Sequence, residues 1–140
     1  MKKKFGLALP LLAVLILGCA APGKESFRLA NELAKSNRVE EAVAMYEDAL
    51  AKEPKNPQYR ESLNKAKAAL SEKLTKKAKS ILAQKPLTYD LARAAYQEAE
   101  KALTLTPAHW DARSLVTQAK SELERINKKA ETLYAEALKA

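Results

Sequence analysis

The chain has 140 residues, which suits one domain and is too short for two sizeable hydrophobic cores. Hydrophobic residues make up 47% and charged residues 30%, so the composition excludes a fully disordered chain. No glycine follows Gly23, which excludes a glycine-rich phosphate loop beyond that point and disfavours tight β-hairpins. Alanine is abundant and lysine, glutamate and leucine are frequent, and these strong helix formers predict an all-α protein.

The net charge and the number of possible metal-ligating residues argue against several classes of function. The formal net charge of +8 falls to +5 without Lys2, Lys3 and Lys4, which is a mild excess and not the clustered charge of a nucleic-acid binder. One histidine and one cysteine cannot supply the roughly four ligands of a structural zinc site. We therefore expect no metal, no cofactor, no nucleic acid and no small-molecule substrate.

The first residues predict an exported protein. A basic start at residues 1–4 precedes an apolar run at 5–17, which is too short to span a bilayer but typical of a secretory signal. The segment Ile16-Leu17-Gly18-Cys19 resembles the lipobox of bacterial lipoproteins. A transmembrane anchor with an incidental cysteine is the alternative.

The lipoprotein resemblance implies a processing route and a location. Residues 1–18 would be a cleaved signal peptide, Cys19 would carry the lipids, and residues 19–25 would form a tether. In lipoproteins of this type Ala20 after the cysteine favours the outer membrane, with the domain facing the periplasm. Two or more acyl chains are needed for stable anchoring.

Five helices are predicted along the rest of the chain. We place them at 26–36, 39–52, 57–84, 88–105 and 107–138. Asn56 before Pro57 and Thr106 before Pro107 each combine a capping side chain with a first-turn proline, which predicts a helix start. Pro86 ends the third helix.

An internal repeat appears when the chain is shifted by 53 residues. The shift aligns Ala42 with Ala95, Ala49 with Ala102, Leu50 with Leu103, Pro54 with Pro107, and Arg60 with Arg113. Helical sequence of low complexity produces some such matches by chance, but a shared Ala-Leu-x₃-Pro pattern makes chance less plausible.

The first copy also resembles the tetratricopeptide repeat. Its pattern positions, which the resemblance implies are packing positions of the repeat, are filled by Leu29, Ala30, Leu33, Ala42, Tyr46, Ala49 and Pro54, with Asn37 at the usual turn glycine. The second copy matches at Ala95, Ala102 and Pro107 but has Ala99 at the aromatic position. The resemblance implies antiparallel helical repeats over residues 26–140, with the small residues letting paired helices approach closely.

No catalytic constellation is found, so we expect a protein that is not an enzyme. The single histidine, His109, falls in the predicted first turn of the last helix, where a surface or capping role is expected. The resemblance instead implies protein binding on the first helix of a repeat. The candidate residues there are Phe27, Asn31 and Lys35, with Phe27 equally able to pack in the core.

The last helix carries the most regular apolar pattern. The spacing of three and four residues follows the heptad period of a helix with one neighbour. Its members are Val116, Ala119, Leu123, Ile126, Ala130, Leu133 and Ala137. We expect the far half, from Ile126, to pack on the long helix 57–84; a partner chain is the alternative.

These features predict a lipid-anchored, non-enzymatic scaffold for protein–protein interaction in the bacterial envelope. The combination is similar to small tetratricopeptide lipoproteins that assist assembly of secretins in type II secretion and type IV pili. A homo-oligomeric coiled-coil lipoprotein and a regulatory partner of cell-wall synthesis remain as alternatives.

Overall fold

The computed structural model describes residues 22–139, which form five α-helices and no β-strand within that range. They are α1 (Lys24–Lys35), α2 (Val39–Lys52), α3 (Pro57–Leu82), α4 (Tyr89–Leu105) and α5 (Trp110–Ala137). The predicted all-α fold is confirmed. The predicted long third helix is one continuous element, which ends four residues before Pro86.

The predicted start of α5 at residue 107 is wrong. Thr106 ends α4 instead of capping α5, and its N–H donates to the Ala102 carbonyl over 3.0 Å. Residues 107–108 form a turn, and His109 is the N-cap, with Nδ1 accepting a hydrogen bond from the Ala112 N–H. The capping role expected for His109 is confirmed.

The expectation that Pro54 and Pro107 pack within the repeats is wrong, because each lies in an exposed turn. They contribute their carbonyl oxygens instead. Arg60 donates through Nη2 to the Pro54 carbonyl over 2.8 Å, and Arg113 donates to the Pro107 carbonyl over 3.0 Å. The same contact therefore recurs 53 residues along the chain.

The turn between α1 and α2 needs a left-handed residue. Asn37 has φ of 59°, a region that asparagine adopts more readily than most residues. The following N–H, of Arg38, donates to the Leu33 carbonyl over 2.9 Å and satisfies the end of α1. Asn37 thus has the left-handed role expected of it, and three residues suffice to reverse the chain.

Two buried clusters divide the fold into two modules that share α3. The first module comprises α1, α2 and residues 57–70 of α3; the second comprises residues 71–82 of α3, α4 and the near half of α5, residues 110–123. The first cluster is Ala30, Leu33, Ala42, Val43, Tyr46, Leu63, Ala66 and Leu70. The second cluster is Ala78, Leu82, Ala95, Ala99, Leu115 and Ala119. Because α3 belongs to both, it fixes one module relative to the other.

Small side chains hold the helices close, as expected. Ala30, Ala42, Ala49, Ala95 and Ala102 are fully buried. The expectation that Leu29 also packs within the repeat is wrong, because it is exposed on the outer face of α1. The adjacent Ala30 faces the core, and successive helical residues are turned by about 100°.

A buried serine adds a polar contact between α3 and α4. Ser71 is completely buried, and its hydroxyl donates to the Ala102 carbonyl over 2.9 Å. Thr75 in turn donates to the Ser71 carbonyl. Every buried polar group here has a partner, so the short side chains bring α3 against α4 without an unsatisfied donor.

The far half of α5 makes no buried contact with the rest of the described chain. Every residue from 127 to 139 is exposed, including Ala130, Leu133 and Ala137, and Ile126 is half-buried. The expected packing of this half on α3 is therefore wrong. The 17 residues of α4 lie along the near half only, and α3 ends at Leu82, so neither helix reaches beyond it.

Candidate functional site

The lipidation candidate, Cys19, lies outside the described residues, but the chain is fixed soon after it. Gly23 caps α1 and is buried, and its N–H donates to Glu53 Oε1 over 2.9 Å. A Cβ at this position would lie 2.7 Å from the Ala49 carbonyl oxygen and 2.7 Å from Tyr59 Cε2. Glycine is thus required by a close approach between the start of α1 and the corner that joins α2 to α3.

The candidate binding residue Phe27 packs against two tyrosine rings inside the fold. Its ring stacks on Tyr59 with centroids 4.5 Å apart and lies tilted against Tyr46 at 5.6 Å. These contacts join α1 to both α2 and α3, and aromatic pairs of this geometry add about 0.5–1.5 kcal/mol beyond the area they bury. Phe27 is therefore an internal contact of the first module rather than an open anchor.

Asn31 is also engaged within the fold. Its Nδ2 donates to the Phe27 carbonyl over 2.9 Å, and its Oδ1 accepts from the Tyr46 hydroxyl over 2.7 Å. Burial raises the pKa of Tyr46, which keeps that hydroxyl a donor. Lys35 is exposed at the end of α1. The structure thus brings Phe27 and Asn31 together around Tyr46, and of the three candidates only Lys35 lies fully open to a partner.

A groove between α3 and α5 was not anticipated from the sequence. It has a volume of ≈ 340 Å³ and lies where the near half of α5 passes α3. Its lining combines charged, polar and apolar side chains: Glu72, Thr75, Lys76 and Lys79 from α3, and Asp111, Ser114, Leu115 and Gln118 from α5. Such a lining offers charged, hydrogen-bonding and apolar contacts to a peptide segment.

One end of the groove is fixed by a hydrogen bond between Glu72 of α3 and His109, the N-cap residue of α5. Glu72 lies 3.2 Å from Lys76 Nζ and 3.2 Å from His109 Nε2. Hydrogen bonds from Lys76 and His109 lower the pKa of Glu72, so its charge is maintained. Because His109 also caps α5, the only histidine of the chain is occupied by two structural contacts.

Exposed apolar residues occupy two further places on α5. Trp110 is 76% exposed in its first turn, close to Arg113 and Ser114. Near the other end, Leu133, Tyr134 and Leu138 are 56%, 68% and 70% exposed. Large apolar side chains left open in this way often mark interaction surfaces.

Within residues 22–139 no group of three His, Cys, Asp or Glu side chains is placed to hold a metal ion. None of the helices in that range is long and apolar enough to cross a bilayer.

Comparison with protein-family models, with curated proteins and with solved structures finds no match to this chain.

Proposed function

We propose that the protein is a lipid-anchored, non-enzymatic scaffold that binds another protein in the bacterial envelope. The carrying observation is the lipobox-like segment that ends at Cys19, four residues before Gly23 enters the packed domain. A diacylated and N-acylated Cys19 anchors the domain to a membrane, and Ala20 directs it to the outer membrane with the domain in the periplasm.

The helical arrangement supports a binding role of the tetratricopeptide kind. Helix pairs α1–α2 and α3–α4 are each closed by small buried side chains, and α5 follows as a last helix. The groove between α3 and α5 is the surface we assign to a partner, because it presents charged side chains of both signs, and because Ser114 and Gln118 line both the groove and the neighbouring surface that contains the exposed ring of Trp110. An assembly component of a secretin, as in type II secretion or type IV pili, is the partner we propose.

The anchor is tested by the mass and location of the product. The full chain is expressed in a bacterium, and its membrane fraction is compared with that of a Cys19→Ala variant. We expect the wild type to begin at residue 19 and to carry acyl chains, and the variant to remain an unprocessed precursor. Wild-type protein that retains residues 1–18 without lipid would refute the anchor.

The partner surface is tested by photo-cross-linking in living cells. A photoreactive residue is placed at Gln118, inside the groove, or at Ala51, on the exposed outer face of α2. We expect one discrete cross-linked protein from position 118 and none from position 51. Identical products from both positions would contradict a role for the groove, and a product other than a secretin component would replace the proposed partner.

A further inference from the structure

The overhang of α5, residues 126–138, presents an open apolar face. Ile126, Ala130, Leu133 and Ala137 follow one stripe along the helix, with Tyr134 beside it. The stripe continues the buried face of the near half, which carries Ala112, Leu115 and Ala119. In the near half this face packs on α4, whereas beyond the half-buried Ile126 nothing within the described chain covers it.

We propose that the overhang binds the overhang of a second copy of this chain in an antiparallel pair. In such a pair the apolar positions form layers that join a large residue to a small one. Leu133 faces Ala130 of the second copy, and Ile126 faces Ala137 of the second copy. Each layer occurs twice because the pair is symmetric. The alternation of large and small side chains lets the two helices approach closely.

The residues that flank the stripe fit the same register. When Ala130 is opposite Leu133 of the second copy, Lys129 is opposite Glu136 of the second copy on one flank. On the other flank, Asn127 is opposite the hydroxyl-bearing Tyr134 of the second copy. The pair thus gains two ion pairs and two amide–phenol contacts. A parallel pair would place Lys129 against Tyr134 and gain no ion pair, so charge complementarity selects the antiparallel arrangement.

The extent of the overhang also matches this pairing. The layers use residues 126–137, about 18 Å of helix, and stop where α4 begins to cover α5. Antiparallel pairing keeps the two folded bodies at opposite ends, so they do not collide. A contact this short buries less than the roughly 1,600 Å² of a standard stable interface, and we therefore expect a weak, dissociable dimer.

The test uses the full chain in the membranes of an expressing bacterium. Asn127→Cys is introduced in one tagged copy and Tyr134→Cys in a second copy with another tag, and a short thiol cross-linker is added. We expect a cross-linked pair that contains both tags. Pairs of the Asn127→Cys copy with itself should form far less, because these positions lie about 10 Å apart along the axis. Each experiment includes the chain without an introduced cysteine, so the readout does not depend on whether Cys19 carries lipid.

Further substitutions, made in both copies, test the face and the charges. Leu133→Asp should abolish the cross-link, because a charge would enter the layer. Thr132→Asp, on the opposite face of the same helix, should leave the cross-link unchanged. Lys129→Glu should lower the yield about tenfold at limiting expression, and adding Glu136→Lys should restore it.

Three results would overturn the proposal. They are no mixed pair although both copies are present, a cross-link that survives Leu133→Asp, and equal cross-linking of the Asn127→Cys copy with itself. The last result would show two copies in another register. Leu133→Asp touches no buried contact in the described chain, so its loss of cross-linking cannot be ascribed to unfolding if the variant melts like the wild type.

Discussion

Helices α3 and α5 begin alike and end differently. Both are long, with bounds Pro57–Leu82 and Trp110–Ala137, and their first halves bury residues that align at a shift of 53: Tyr59 with Ala112 and Ala66 with Ala119. The second half of α3 is buried against α4, whereas the second half of α5 is exposed. Similar length and a shared beginning therefore do not give the two helices the same neighbours.

The difference comes from where the apolar stripe lies on each helix. In α3 the buried positions pass from Leu70 to Ser71 and continue through Thr75 and Ala78, so the stripe turns by about 100° at mid-helix. One helix thereby serves two modules. In α5 the stripe keeps its course from Leu123 to Leu133, and the positions that would match the second face of α3 carry charge, such as Glu124 and Glu131. The rotated stripe of α3 lets its second half pack against a further helix. The straight stripe of α5 leaves its second half without a neighbour in the described chain.

The two helices should differ most in their response to a charge placed in the second half of each. Ala78→Glu should lower the free energy of unfolding by about 3–5 kcal/mol, because it overpacks a fully buried site and strands a carboxylate among apolar side chains. Ala130→Glu in the overhang should change it by less than about 0.5 kcal/mol. Urea denaturation at low protein concentration measures both, and equal losses would show that the overhang is packed after all.

A second pair of variants tests whether the core of the first module is packed as tightly as that of the second. Ala49 is fully buried, whereas Ala51 is exposed two residues along α2. Ala49→Glu should cost about 3 kcal/mol because the charge would lie near the Gly23 contact, and Ala51→Glu should cost little. Thermal unfolding separates them, and coincident melting temperatures would refute the assigned packing face.

The N-caps of α3 and α5 provide a finer comparison. Asn56 Oδ1 accepts from two N–H groups, those of Gln58 at 3.1 Å and Tyr59 at 3.3 Å, whereas His109 Nδ1 accepts only from Ala112 at 3.4 Å. Asn56→Ala should therefore cost about 1 kcal/mol and the cap of His109 somewhat less. Chemical denaturation of Asn56→Ala and His109→Ala measures the difference. A larger loss for His109→Ala would mean that its contact with Glu72 outweighs its cap.

The smallest expected effect is a difference in acid sensitivity. Hydrogen bonds from Lys52 and Ser26 lower the pKa of Asp48, which joins α1 to α2 in the first module; the aligned position in the second module is Lys101. A lowered pKa means that this stabilisation is present above the unfolded value of about 3.9 and is lost as pH falls through the folded value. Asp48→Asn should thus reduce the melting temperature slightly at pH 7. The difference from wild type should shrink as pH falls below about 3.9 and disappear once Asp48 is protonated in the folded state, and a difference that grew on acidification would contradict this sign.

Most of the helical layout could be predicted because it depends on local chemistry. The Asn56–Pro57 pair fixes the start of α3, and Asn37 supplies the left-handed residue of the three-residue turn between α1 and α2. Thr106–Pro107 misled because a threonine before a proline is as compatible with a helix end followed by a turn as with a helix start. Leu29 was misplaced because a pattern match does not show which residue of an adjacent pair faces inward.

The candidate surfaces depended on long-range contacts and were less accessible to sequence reasoning. Phe27 reads equally as an anchor or a core residue until Tyr59, 32 positions away, is seen to stack on it. The groove between α3 and α5 needs the crossing of two helices, which no periodicity reveals. The apolar stripe on α5 is evident in the sequence. Such a stripe indicates that another helix packs there, but it does not identify that helix.

The contact of Gly23 with the α2–α3 corner sets a limit on height above a membrane. From Cys19 to Gly23 the chain spans four residue steps, at most about 14 Å when fully extended. With lipid on Cys19, the corner around Glu53 could therefore never rise far from the bilayer surface. The domain would diffuse in two dimensions close to the bilayer surface. A partner could then bind it only with a surface that also lies close to the membrane.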